Sequence, residues 1–139
     1  MRKYLNSEFY NSFTQSEQLH IAESKIITPN NPWYGKDGGK DTIDKIFLLS
    51  IEEVVKYFGD SGKLRSPSLS KFSIDDRYSQ ARIALALDAN ATASWWWLRS
   101  AGRDSGDAAA VSGDGDVSMI GLLVGSAAGG VRPALWLNL

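Results

Sequence analysis

Three consecutive tryptophans, Trp95-Trp96-Trp97, followed by Leu98 and Arg99, set the strongest constraint on what this chain can fold into. In an extended strand successive side chains point to opposite faces, so Trp96 and Leu98 share one side and Trp95 and Trp97 the other. A strand this aromatic is expected at the centre of a sheet. Its cover must come from packing alone, because the chain has no cysteine, which removes disulfides, thiolate metal sites and cysteine nucleophiles together. Five Trp, five Tyr and five Phe supply that packing, each burying a large apolar area while asking for at most one hydrogen-bond partner. A length of 139 residues suits one domain, 1–139, with a continuous core.

Charge is nearly balanced, with 15 Lys+Arg against 16 Asp+Glu, which argues against nucleic acid and against anionic lipid as partners. No stretch reaches the roughly 18 apolar residues of a membrane-spanning helix. The N-terminus reads as an amphipathic segment, without the basic-then-apolar order of a signal peptide. Display on a virion or bacterial surface would therefore depend on a partner.

The chain changes character near Ser94: helical patterns precede it, and short strand-like runs separated by Gly, Ser and Asp come after it, which predicts an α+β fold. Leu5, Phe9 and Phe13 recur at helical spacing, and Thr14-Gln15-Ser16-Glu17 fits a capping box, so two helices are expected over 2–12 and 15–23. Residues 30–41, with Pro32 and three glycines, have loop composition. A strand is expected over 45–49. Ser50-Ile51-Glu52-Glu53 then opens a helix with Ile51, Val54, Val55 and Phe58 inward, and Gly59 is placed to end it in a left-handed conformation. Residues 75–87 are expected to add a short helix. Val111 and Val117 flank Ser112-Gly113-Asp114-Gly115, whose Asp-Gly favours positive φ and a tight hairpin. The run 131–139 alternates as a strand, with Pro133 marking a bulge or an unpaired edge.

Four separated pieces carry a family resemblance: Tyr4-Leu5-Asn6-Ser7-Glu8-Phe9-Tyr10, Asp41-Thr42-Ile43-Asp44-Lys45-Ile46-Phe47-Leu48-Leu49-Ser50, Trp96-Trp97-Leu98-Arg99-Ser100 and Gly130-Val131-Arg132-Pro133-Ala134-Leu135-Trp136-Leu137. In this order they resemble an uncharacterised bacterial and phage domain found in gut bacteria. The resemblance implies a C-type-lectin-like fold of the kind shared with formylglycine-generating enzymes: N-terminal helices on a small twisted antiparallel sheet with long loops. It also implies membership among variable proteins diversified by retroelements, in which adenine-directed mutagenesis rewrites codons near the C-terminus. Such proteins usually have a strand upstream of the segment matching Arg2-Lys3-Tyr4-Leu5. This sequence starts at that segment, which puts the usual pairing of first and last strands in doubt, and the final strand is expected as an exposed edge or as one covered by another chain, a companion or a second copy.

The informative window is 101–130, where 18 of the 30 residues are Ala, Gly or Ser and Lys, Glu, Asn and all aromatics are missing. The expectation is a variable ligand-binding region on a fixed frame, against the plainer reading of a glycine-rich connector. Set against the asparagine-rich family pattern, the residues expected to vary and to contact ligand are Arg103, Asp104, Asp107, Ala110, Ser112, Ser118, Met119, Ile120, Leu122, Leu123, Ser126 and Ala127. Met119 fits least well, since an asparagine codon altered only at adenines cannot become methionine. Met119-Ile120-Gly121-Leu122-Leu123-Val124 is either a strand buried on both faces or, in the family register, a partly solvent-facing apolar patch.

Other candidates have plainer readings. Asp104, Asp107, Asp114 and Asp116 fit no complete calcium loop and read as turn carboxylates. His20, the only histidine, cannot build a metal cluster or a catalytic triad. Formylglycine-type chemistry needs cysteines. Arg99 and Arg132 read as structural, against a role in holding a ligand carboxylate; Trp95, Trp96, Trp97 and Trp136 read as core, against sugar stacking. The expected function is non-enzymatic recognition of a protein or glycan on a target cell, with no cofactor and no metal. The alternative is an assembly module that oligomerises or docks through its apolar run and final strand.

Overall fold

The computed structural model describes every residue except Leu69, Asp88, Ala89 and Leu139, so the end of the expected 131–139 strand lies outside the described residues. The N-terminal helix starts as α1 (Arg2–Tyr4) and widens into a π-helical turn over Leu5–Phe9, with Leu5 buried. Thr14 caps α2 (Gln15–His20) through the expected box: its Oγ1 accepts from the Glu17 amide, and the Glu17 carboxylate accepts from the Thr14 amide at 2.7 Å. The helix stops at His20 because Ile21–Ala22 turns extended as β1 and pairs with the end of the chain. The second box holds equally, with Ser50 capping α3 (Ile51–Phe58) and burying Ile51, Val54 and Val55. Gly59 takes φ of +121° with ψ of 143°, a positive φ outside the expected left-handed helical well.

Strands β2 (Ser24–Ile26) and β3 (Thr42–Asp44) form a ribbon, and β4 (Ile46–Leu48) falls within the expected 45–49 run. Strand β5 (Ser73–Ile74) precedes α4 (Ser79–Arg82), all that forms of the helix expected over 75–87. The chain there bends into β6 (Ala84–Leu85), which pairs with β7 (Ala93–Ser94), while the Arg82 carbonyl is taken by the Trp96 indole N–H at 3.1 Å. The remaining strands are β8 (Trp96–Ala101), β9 (Asp107–Val111), β10 (Val117–Leu123) and β11 (Pro133–Leu137). A four-stranded antiparallel sheet runs β5-β10-β9-β8, and a three-stranded one runs β1-β11-β4. The architecture is thus mixed α and β with small antiparallel sheets.

Two strand placements differ from expectation. The tryptophan strand β8 ends its sheet, not centres it. Its free edge is nevertheless covered: Trp97 N–H donates to the Gly130 carbonyl, Gly130 N–H to the Trp95 carbonyl, and Arg99 N–H to the Leu49 carbonyl at 3.0 Å, tying this sheet to the other. The last strand is not an exposed edge. β11 lies between β1 and β4, so strands from within the described chain take the place expected of an upstream or foreign one. Pro133 sits at its first position, opposite Leu48, where a missing N–H matters least.

One cluster of buried residues joins both halves, with Phe47, Ile51, Val54 and Val55 meeting Trp96, Leu98, Val111, Val117 and Met119. Arg99 stitches the sheets from the side. Its guanidinium forks onto Glu53, with Nη2 to Oε1 at 2.9 Å and Nη1 to Oε2, and also donates to the Leu48 and Ile27 carbonyls.

Candidate ligand-binding face

The window 101–130 folds as the end of β8, a turn, the β9–β10 hairpin and a loop back to the frame. At the hairpin's closed end, Ser112 N–H donates to the Asp116 carbonyl at 2.8 Å and Gly115 N–H to the Ser112 carbonyl at 3.0 Å. Gly115 has the expected positive φ, +87°, and a Cβ there would lie 1.8 Å from the Ser79 carbonyl oxygen. The turn is pressed onto α4, and no side chain fits between them.

The last residue of α4 belongs to a buried ion pair. Arg82 and Asp76 approach to 3.0 Å with side chains 0% and 3% exposed. Burial pushes the Asp76 pKa up, but hydrogen bonds from Arg82, the Ser61 hydroxyl and the Tyr78 amide outweigh it and hold the carboxyl below its ordinary range.

Strand β10 changes character midway. Val117 and Met119 point inward, and the pairing with β9 then shifts register between Ser118 and Leu122. At the shift Gly121 has φ of +79°, and a Cβ there would lie 2.4 Å from the Ala108 carbonyl oxygen. This bulge turns the next three side chains outward: Leu122, Leu123 and Val124 are 40%, 71% and 65% exposed. The continuous apolar run is therefore half core and half surface.

Asn31 stabilises the bulge from the far side of the sequence. It is 1% exposed. Its Nδ2 donates to the Met119 and Ala101 carbonyls at 2.9 Å each, and its Oδ1 accepts from the Trp33 and Tyr34 amides at 3.0 and 3.2 Å. Two donors and two acceptor sites are thereby saturated. The same contacts bring residues 31–36 against the turn after β8, where Lys36 Nζ donates to Ser105 Oγ at 2.9 Å. Composition marks 30–41 only as a loop. The available signal was an asparagine two and three residues before amides it can hold, the side-chain mimic of a turn.

At the open end the segments are knitted by backbone bonds: Gly102 N–H to the Asp107 carbonyl, Arg103 N–H to that of Ile120, and Val124 N–H to that of Gly106, between 2.8 and 2.9 Å. Arg103, Asp104, Leu122, Leu123, Ser126 and Ala127 are exposed here and Asp107 is half-buried. The Arg103 guanidinium donates to Asp104 at 3.0 Å, and this hydrogen bond raises its pKa. Beside them a groove of about 320 Å³ opens between Leu48, Trp97, Ala108, Val124 and Ser126.

The other expected contact residues do not join this face. Ala110 and Met119 are buried within β9 and β10, 1% and 0% exposed, so neither is placed to touch a ligand. Ser112 lies in the closed-end turn, its hydroxyl accepting from the Asp114 and Asp116 amides. Ser118 is half-buried opposite Ser73 and accepts from the Gly121 amide; Ile120 is half-buried within the bulge. His20 Nδ1 lies 2.8 Å from the Ser16 carbonyl on the exposed helix. Among the described residues no three His, Asp or Glu side chains gather to hold a metal ion, and no helix is long and apolar enough to cross a membrane.

Helices, small antiparallel sheets and a bulged β9–β10 hairpin with an exposed open end define a mixed α and β fold. The model of a family described as a domain of unknown function (DUF6273) matches residues 1–139, and the chain belongs to that family. No curated protein and no solved structure gives a match.

Proposed function

We propose that this chain is a non-enzymatic recognition module with a C-type-lectin-like frame, and that the open end of the β9–β10 hairpin is its ligand-binding face. The observation that carries the reading is the split in β10: Met119 is fully buried, whereas Leu122, Leu123 and Val124 face solvent beside Arg103, Asp104 and Asp107. Exposed leucines on a bulge held by Asn31 are a rigid apolar patch rimmed by charge, the composition of an interaction surface. Pre-organised backbone lets side chains change specificity without reordering the fold. A variable protein diversified by a retroelement needs that separation. In this reading Arg103, Asp104, Asp107, Leu122, Leu123, Ser126 and Ala127 are the varied set, and the ligand is a protein or glycan on a target cell.

The test uses the full chain, fluorescently labelled, against an array of bacterial surface proteins and glycans. Leu122→Ser combined with Leu123→Ser is expected to abolish the signals given by the parent; retained signals would place the binding face elsewhere. The same strip could instead serve self-association. Sedimentation of the unsubstituted chain decides, since an assembly module is a stable multimer that the double serine variant breaks. In the encoding DNA, a nearby near-identical repeat of the last coding stretch, mismatched only at adenines, is the expected mark of diversification.

A further inference from the structure

Two arginines flank the window, and their surroundings are opposite. Both terminal nitrogens of Arg99 are engaged, by Glu53 and by two carbonyls. Arg132 is half-buried, its guanidinium carbon 4.7 Å from the Phe58 ring centre and 5.1 Å from that of Trp96. Among the described residues its one hydrogen bond runs from Nη1 to the Arg82 carbonyl, at a long 3.4 Å, and no carboxylate pairs with it. A guanidinium carries five N–H donors in a planar fork, so most of them have no acceptor among the described residues. Aromatic faces attract the cation without neutralising it, and burial pushes the Arg132 pKa down.

Arg132 lines a groove of about 610 Å³ between segments 83–87 and 130–133, with Trp95 and Trp96 also in its lining. That size falls within the roughly 300–1,000 Å³ of small-molecule sites. Its walls are apolar: Leu85 and Val131 stand 60% and 37% exposed along it, with Pro133 at one end. The neighbouring cation, Arg82, is already committed to Asp76. A planar cation with no carboxylate partner among the described residues matches one planar monovalent anion, because a bidentate fork satisfies both partners' hydrogen bonds and charge at once. A phosphate dianion would ask for a second cation.

We propose that this groove is a second binding site, for a small organic carboxylate with a ring-sized apolar body, the carboxylate on the Arg132 fork and the ring against Trp95, Leu85 and Val131. It shares no residue with the hairpin's open end. The experiment titrates the full chain with phenylacetate, with its neutral isostere phenylacetamide and with phenyl phosphate, following tryptophan fluorescence and calorimetry. Phenylacetate is expected to bind about tenfold or more tightly than the amide, the effect of a charge-assisted hydrogen-bond pair. Phenyl phosphate should not exceed it. Arg132→Gln should remove the preference for acid over amide. Equal affinity for acid and amide, no binding of either, a phosphate preferred to the carboxylate, or an acid preference that survives R132Q each overturns the proposal. Should R132Q fail to fold, the ratio of acid to amide in the unsubstituted chain decides alone.

Discussion

The two ends of the β9–β10 hairpin are built from similar residues and behave oppositely. At the closed end Gly115 lies against Ser79 of α4, the helix that carries Arg82 of the buried Arg82–Asp76 pair, with no room for a Cβ. Gly106, Leu122, Leu123 and Ser126 at the open end face solvent, and among the described residues their hydrogen bonds are backbone ones. Small, polar composition therefore does not decide which part of the window is free to change. What decides is whether the side chain is a packing partner of the frame or only the backbone is.

That contrast can be broken from the closed side first. Asp76→Ala leaves the fully buried Arg82 without its counter-charge and is expected to destabilise the chain by about 3–5 kcal/mol, read by urea unfolding at pH 7. The pH dependence has a definite sign. Because the folded Asp76 carboxyl titrates below its ordinary range, its contribution is complete above the unfolded value of about 4 and is lost as pH falls through the lower folded one. The stability gap between parent and variant should narrow below about pH 4. A gap independent of pH would mean the carboxylate's charge is not what Arg82 requires.

Next in size is the clamp at the boundary between the two ends. Asn31→Ala strips partners from the buried carbonyl of Met119, from the partly buried one of Ala101 and from the Trp33 and Tyr34 amides. A loss of about 2–4 kcal/mol is expected, since unsatisfied buried groups cost about 1–3 kcal/mol each and some will recruit water. Hydrogen exchange should speed at residues 33–35 and 119–121 while Val54 and Val55 in α3 stay protected. Smallest of all, L122S with L123S should change stability by no more than about 1 kcal/mol, as surface substitutions do. A loss several times larger would make these leucines core and erase the contrast.

Much of the frame was legible locally. Both capping boxes, the 46–48 strand and the hairpin closing at Asp114-Gly115 depend on neighbours within a few residues, which the sequence displays side by side. The misplacements all involve distant partners. Ile21–Ala22 leaves its helix because β11 pairs with it from the far end of the chain, and the same pairing makes the last strand central. Three tryptophans signal burial but not which neighbour supplies it; at β8 the cover is Gly130 and Leu49, not another strand of its sheet. The bulge at Gly121 depends on Asn31, 88 residues from Met119, and no pattern in 117–124 announces it. Met119, which fits the expected asparagine-derived pattern least well, is fully buried.

The central claim is that the frame does not need the side chains of the open end. A library of full-length chains randomised together at Arg103, Asp104, Leu122, Leu123, Ser126 and Ala127, sorted for protease resistance, tests it directly against a matched library randomised at Ala109, Val111, Val117 and Met119. Most members of the first library should remain as resistant as the parent and almost none of the second. Comparable losses in both would contradict that claim.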